Sequence, residues 1–238
     1  MWGIILMIKF IMLPFAGSLG YAYQQWAELA VSSNYMDIVM VDYNGRGNRY
    51  QYKQAETWQE LIAETYKQIT PIIHNNEDYI LFGHSMGAKV VYELYYQIAN
   101  HDMNLPKCII FSGCKVPDSP MERLLEMPEQ EFRERFINIG GIDRHILKDK
   151  EFTETVFKTL REDIALLDQY KFDITNEKIQ CPVIVLNGRK DAISEVDEWN
   201  KLLARECFYI MFEDGHFFIF SQKHKVINTI QQIIFHRL

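Results

Sequence analysis

The chain has 238 residues, enough for a domain that buries about 70–75% of its unfolded surface. Its 48% hydrophobic and 24% charged content is that of a globular chain and excludes a disordered one. A net charge of −7 argues against bulk nucleic-acid binding, which needs clustered Lys and Arg facing phosphates.

The segment from Trp2 to Phe15 is mostly apolar. It has no basic leading stretch, its only Lys is the central Lys9, and no small-residue cleavage site follows. It is too short to span a membrane, so it reads as a first buried strand, Ile4–Leu13. Met7 offers an alternative start to Met1, because a strand from Ile8 survives without the first six residues. Further strands are expected at Asp37–Val41, Tyr79–Phe82, Cys108–Ser112, Pro182–Leu186 and Phe208–Phe212. These runs are continuously apolar, as in strands buried on both faces of a parallel sheet. Helices are expected at Tyr21–Val31, Ala55–Ile73, Met86–Ala99, Glu195–Leu203 and Gln222–Ile234. The alternation implies a mostly parallel, doubly wound α/β sheet with right-handed crossovers.

One stretch breaks the rhythm. From about residue 117 to 173 the pattern is helical, with Phe152, Val156, Leu160, Ile164 and Leu167 spaced to share one helix face. The expectation is a single domain over 1–238 with a helical insertion between two strands, placed as a lid over a site.

The strongest chemical signal is Gly83-His84-Ser85-Met86-Gly87. It follows the strand Tyr79-Ile80-Leu81-Phe82 and opens a helix at Ala88-Lys89-Val90, the strand–turn–helix context of a nucleophile elbow. Glycines two residues either side of Ser85 give room for so sharp a turn. The helix N-terminus favours developing negative charge there. A serine needs a base, and His216 is the one histidine in a tight loop after a late apolar strand, Glu213-Asp214-Gly215-His216. His84 adjoins Ser85 and should turn away into packing. His224 and His236 fall on the terminal helix and should be solvated, while His74, His101 and His145 sit in polar loops.

The acid that orients His216 is expected to be Asp191, at the end of the strand-and-loop segment Pro182–Asp191, where sites of open α/β sheets gather. Asp214, Asp42 and Asp163 fit less well by position. The resulting chain order Ser85, Asp191, His216 is that of an α/β-hydrolase fold. An oxyanion hole would use the N–H of Met86 and one N–H from Leu13-Pro14-Phe15-Ala16-Gly17-Ser18, either Phe15 or Ala16, with Ala16 preferred. Asn44-Gly45-Arg46-Gly47 reads as a structural turn in which Arg46 bonds neighbouring loops. No metal cluster or P-loop is evident. The cysteines Cys108, Cys114, Cys181 and Cys207 lie in or beside apolar runs without C-x-x-C spacing, which fits reduced core thiols and a cytoplasmic protein.

Taken together, these residues resemble the type II thioesterases that accompany nonribosomal peptide and polyketide synthases. The resemblance is carried by Leu13-Pro14-Phe15-Ala16-Gly17, Gly45-Arg46-Gly47 with Arg49, Gly83–Gly87, Leu160-Arg161-Glu162-Asp163, Gly188-Arg189-Lys190-Asp191 and Gly215-His216-Phe217-Phe218. Asn44 stands where the family usually has Pro, Ser18 and Leu19 where it has further glycines, and Glu162 where it has Ala. The resemblance implies a serine hydrolase that removes aberrant or stalled acyl groups from the phosphopantetheine arm of carrier proteins. It implies no cofactor beyond that arm, which belongs to the substrate. It also implies carrier-protein partners, with no nucleic acid or membrane, and a monomer by default. Docking would use local basic groups, for instance Arg144, Lys148 and Lys150. The rival readings are an esterase or acyl-CoA thioesterase, an acyltransferase, a lipase, and a catalytically silent synthase-binding protein.

Overall fold

The computed structural model describes residues 7–31, 35–74, 77–119, 122–142, 145–173, 175–191, 198–205 and 207–237. Six strands form one parallel sheet: β1 (Ile8–Leu13), β2 (Met36–Met40), β3 (Tyr79–His84), β4 (Cys108–Ser112), β5 (Val183–Gly188) and β6 (Cys207–Phe212). Their order is β2-β1-β3-β4-β5-β6, and every pairing is parallel. The order reverses between β1 and β3, and the crevice at the carboxyl ends of such a pair is where open α/β sheets bind ligands.

The continuous apolar runs have a simple cause. Successive strand side chains point to opposite faces, and both faces are covered. Ile11, Leu13, Tyr79, Leu81, Ile109, Phe111, Val183 and Val185 enter one core. The alternating Phe10, Met12, Ile80, Phe82, Cys108, Ile110, Ile184 and Leu186 enter the other. Helices α2 (Trp58–Ile73) and α3 (Met86–Asn100) pack into the first core, while α1 (Gln24–Val31) and the terminal α7 (Lys223–Arg237) pack into the second. The short α6 (Phe218–Ser221) precedes α7 and accepts, at the Ile219 carbonyl, a hydrogen bond from the Trp26 indole of α1 at 3.0 Å.

Several boundaries move for local reasons. The first strand begins at Ile8; residues 4–6 of the expected strand lie outside the described residues. The first helix opens as a 3-10 turn, Gly20–Tyr23, because Gly20 is pressed against the chain, where a Cβ would sit 2.5 Å from the Val41 carbonyl oxygen. The second starts three residues later than the apolar pattern, at Trp58, because the Thr57 side chain caps it by accepting from the Glu60 N–H. β3 and β5 extend by two residues through pairing with their neighbours. Of the helix expected at Glu195–Leu203, residues 195–197 lie outside the described residues, and the rest is a 3-10 turn, Trp199–Leu202.

Between β4 and β5 run α4 (Glu129–Asn138) and α5 (Lys150–Leu167), with no strand among the described residues of this stretch. On α5, Leu160, Ile164 and Leu167 are buried and Val156 is half-buried, but Phe152 is 50% exposed. In the first turn after the Asp149 cap it is the next residue, Thr153, that is buried, so the covered face there is turned one position away from Phe152. Phe157 and Asp163 are buried instead.

The tightest packing lies where β3, α3 and the end of β1 meet. A Cβ on Gly83 would sit 2.1 Å from the Gly87 carbonyl oxygen. One on Gly87 would sit 2.4 Å from the Leu13 oxygen and 2.9 Å from that of Pro14. Both obstacles are backbone, so no side-chain rotation relieves them. Gly87→Ala is expected to destabilise the fold by about 3 kcal/mol through overpacking, a fall in melting temperature of roughly 6–12 °C measurable by calorimetry.

Candidate active site

Ser85 caps the N-terminus of α3 with φ 54° and ψ −118°, in the left-handed range that non-glycine residues avoid. It is held there by its own N–H, which donates to the Ser112 carbonyl at 2.8 Å, and by its carbonyl, which accepts from Ala88 N–H at 3.0 Å. The turn lifts its side chain into a cavity of about 1120 Å³, mouth included, shared with Ala16, Met86 and His216.

His216 comes from the loop after β6 and Asp191 from the loop after β5. Gly188 brings the two loops together: a Cβ there would lie 2.4 Å from the Gly215 oxygen and 2.5 Å from that of Asp214. The Lys190 N–H donates to the Asp214 carbonyl at 2.9 Å and closes the same junction. His216 Nδ1 and Asp191 Oδ2 are then 2.7 Å apart, both side chains buried. A carboxylate at Nδ1 leaves Nε2 as the nitrogen that can take a proton.

His84 turns away from the cavity into the sheet, as its position beside Ser85 implied. It is fully buried, with Nδ1 2.9 Å from Ser112 Oγ and its ring 4.7 Å from that of His216. Burial, reinforced by the neighbouring His216, holds its imidazole well below the usual histidine range, so it stays neutral. Gly113, at φ +56°, fills the gap between the two rings: a Cβ would lie 2.4 Å from His84 Cε1 and 3.2 Å from His216 Cε1. The remaining described imidazoles, His74, His101, His145 and His224, are exposed; the side chain of His236 lies outside the described residues. Of the other carboxylates weighed as the acid, Asp214 pairs with Ser221 and the Gly215 N–H, and Asp42 accepts from the N–H groups of Gly20 and Asn48.

The loop after β1 is fixed from four sides. The Tyr23 hydroxyl donates to the Leu13 carbonyl at 3.1 Å and the Tyr43 hydroxyl to that of Pro14 at 3.0 Å. Burial raises both phenols, which remain protonated donors. Gly20 N–H donates to Asp42 at 2.7 Å, and Gly17 N–H to Asp163 Oδ2 at 2.7 Å. The Gly17 N–H is thereby committed, while the half-buried Ala16 faces the cavity. Met86 opens α3, so its N–H has no acceptor within the helix.

Asp163, the last of the carboxylates weighed as the acid, has a different role. It is 1% exposed and receives both Arg46 Nη1 at 2.7 Å and Nη2 at 3.1 Å. Burial pushes its carboxyl up, and Arg46 opposes that shift. Arg46 therefore reaches across to the insertion helix, a longer span than a bond between adjoining loops. From the insertion, Phe136, Ile142, Val156, Leu160, Ile164 and Leu167 line the cavity opposite Ser85. Arg135 and Glu122, also lining it, form an ion pair. Lys148 and Lys150 are exposed, and Arg144 lies outside the described residues.

Cys108, Cys114 and Cys181 are buried and Cys207 half-buried, all as free thiols. Among the described residues no group of His, Cys, Asp and Glu is arranged to hold a metal ion, and no helix is long and apolar enough to cross a membrane.

This sheet and this site define an α/β-hydrolase. The family model described as the thioesterase domain matches residues 9–234, and the chain belongs to that family, the hydrolases of acyl thioesters. Its relatives include the "Probable anguibactin biosynthesis thioesterase AngT" of Vibrio anguillarum, 29% identical over 231 residues and covering 94% of this chain and 90% of that one. Thioesterase PikA5 of Streptomyces venezuelae is 27% identical, covering 94% and 79%. Among solved structures, ClbQ from the colibactin NRPS/PKS pathway superposes with a TM-score of 0.87 at 28% identity, covering 96% and 97%. The type II thioesterase YbtT from the yersiniabactin pathway has the same fold, with a TM-score of 0.83 at 23% identity over 97% and 94%.

Two outcomes follow from the buried charges. Asp163→Ala strands the Arg46 guanidinium and is expected to cost about 3–5 kcal/mol of stability in chemical denaturation, with loss of thioester hydrolysis as the Ala16–Gly17 loop is released. Lys89, on the cavity wall, is lowered to about 8 by burial, against the opposing pull of Cys114, Asp118 and Glu93. Between that value and its ordinary 10.5 the unfolded chain holds the extra proton, so its contribution to stability rises with pH across this window. The melting temperature of Lys89→Met relative to the parent is expected to fall between pH 8 and 10.5.

Proposed function

We propose that Ser85, His216 and Asp191 form a catalytic triad that hydrolyses acyl thioesters on the phosphopantetheine arm of carrier proteins, clearing aberrant or stalled acyl groups from a nonribosomal peptide or polyketide synthase. The observation that carries this reading is the buried His216–Asp191 pair at 2.7 Å, sharing one cavity with a serine at a helix N-terminus. The biosynthetic names of AngT and the pathway of ClbQ support the carrier-bound substrate.

His216 Nε2 takes the Ser85 proton as Oγ attacks the thioester carbonyl. Asp191 holds the ring in the tautomer that leaves Nε2 free and stabilises the imidazolium that forms. The oxyanion is met by the N–H groups of Met86 and Ala16, with the positive end of α3 behind them. Collapse of the tetrahedral adduct expels the pantetheine thiolate, which takes the proton from His216. Water then attacks the acyl-serine, giving its proton to His216, and the acid departs as Ser85 regains that proton. The pantetheine belongs to the substrate, and no step calls on a further cofactor. The insertion acts as the lid that confines the acyl chain, within one domain. The exposed Lys148 and Lys150 offer the carrier a basic landing. The free thiols support a cytoplasmic setting, and the working form is taken as a monomer.

Ser85→Ala and His216→Ala are each expected to lower kcat on acyl-carrier substrates by about ten-thousandfold or more, with an unchanged melting temperature for Ser85→Ala and a lowered one for His216→Ala, which strands the buried Asp191 carboxylate. Parent kcat/KM should be higher on acyl-carrier than on acyl-CoA or simple esters. Full hydrolysis by Ser85→Ala sinks the triad, and a preference for simple esters sinks the carrier assignment.

A further inference from the structure

Lys89 lies one helical turn beyond Ser85 on α3, about 6 Å along the axis. It is 8% exposed and lines the buried part of the cavity together with Cys114, Ile164 and Leu167. Its neighbours Ala88, Val90 and Val91 are apolar core residues, so the helix packing itself has no use for a cation at this position.

The ammonium is poorly matched by the protein around it. It donates to the Pro117 carbonyl at 3.1 Å and lies over the Tyr170 ring at 4.4 Å. Among the described residues no carboxylate comes within 4.0 Å of it; Glu93 and Asp118 act on it from farther away. An ammonium has three N–H donors, and a buried charge without a counterion is costly. Burial brings the group down to about 8, which still leaves most of it protonated at neutral pH. The cavity thus holds a cation with spare donors together with the nucleophile.

We propose that Lys89 determines specificity by receiving a carboxylate at the far end of a short acyl chain, so that the preferred substrates are monothioesters of dicarboxylic acids. This rests on the reading of Ser85 as the nucleophile. The incoming carboxylate supplies the counterion that the protein withholds and accepts the N–H donors left over from Pro117. An apolar acyl group of the same size leaves the cation buried and unpaired, which penalises it in binding.

The test uses the full chain and pairs of pantetheine thioesters that differ only in carboxylate against isopropyl: malonyl with isovaleryl, succinyl with 4-methylpentanoyl, glutaryl with 5-methylhexanoyl. Small thioesters remove carrier docking from the comparison. For at least one pair the parent is expected to favour the carboxylate member in kcat/KM. Lys89→Met should lower that carboxylate-to-alkyl ratio by about tenfold or more, the loss of one charge-assisted hydrogen bond, and Lys89→Arg should restore part of it. Equal ratios in the parent and Lys89→Met overturn the proposal. So does a parent that prefers the alkyl member at every length, a result that needs no variant to fold. Failure of the parent on every thioester would instead count against the thioesterase reading of the site.

Discussion

Three stretches of backbone meet around Ser85 with almost nothing between them. The end of β3, the first turn of α3 and the carbonyls of Leu13 and Pro14 approach so closely that neither Gly83 nor Gly87 has space for a methyl group. This contact places the serine at the helix N-terminus in its left-handed conformation, and it brings the loop after β1 alongside. Everything else at the site is arranged around it. Tyr23 and Tyr43 donate their hydroxyls to the same Leu13 and Pro14 carbonyls. Gly113 and Gly188 repeat the same device, each opening room for a neighbouring ring or loop that a side chain would block.

The second organising element is electrostatic. Asp163 is buried deep in the insertion, and its two oxygens are consumed by Arg46 and the Gly17 N–H. A surface ion pair is worth little because water competes for both partners. This one is shielded and hydrogen-bonded on both sides, the condition under which loss of one partner is most damaging. The insertion, the turn after β2 and the loop after β1 are thus joined through a single carboxylate.

Much of this was visible in the chain. The strand expected at Cys108–Ser112 has those limits in the fold, because a continuously apolar run is what a strand covered on both faces requires. Ser85 was visible through its glycines, and Asp191 and His216 through their places after late strands. Other features were marked in part or not at all. Asp163 stands in the Leu160–Asp163 motif that carries the family resemblance, but only the fold shows it turned inward onto Arg46 and the Gly17 N–H. Phe152 fits the helical spacing of a buried face, but in the first turn of α5 the covered position is the adjacent Thr153. Lys89 is, in sequence, one cation in an apolar helix. Its meaning depends on which face of α3 looks into the cavity, and spacing alone does not tell that. The α1 start has no local signal, because Gly20's approach to the Val41 carbonyl joins the turn before the helix to the residue after β2.

The shared carboxylate also bears on how such proteins can be recombined. A foreign insertion grafted between β4 and β5 would inherit the strand ends intact, yet still fail unless it brought an acid to the position of Asp163. Without it, Arg46 and the Gly17 amide would both lose their acceptor at once. The junction is therefore keyed by one residue well inside the graft, some fifty positions from the end of β4, and a chimera designed by matching its splice points alone would overlook it.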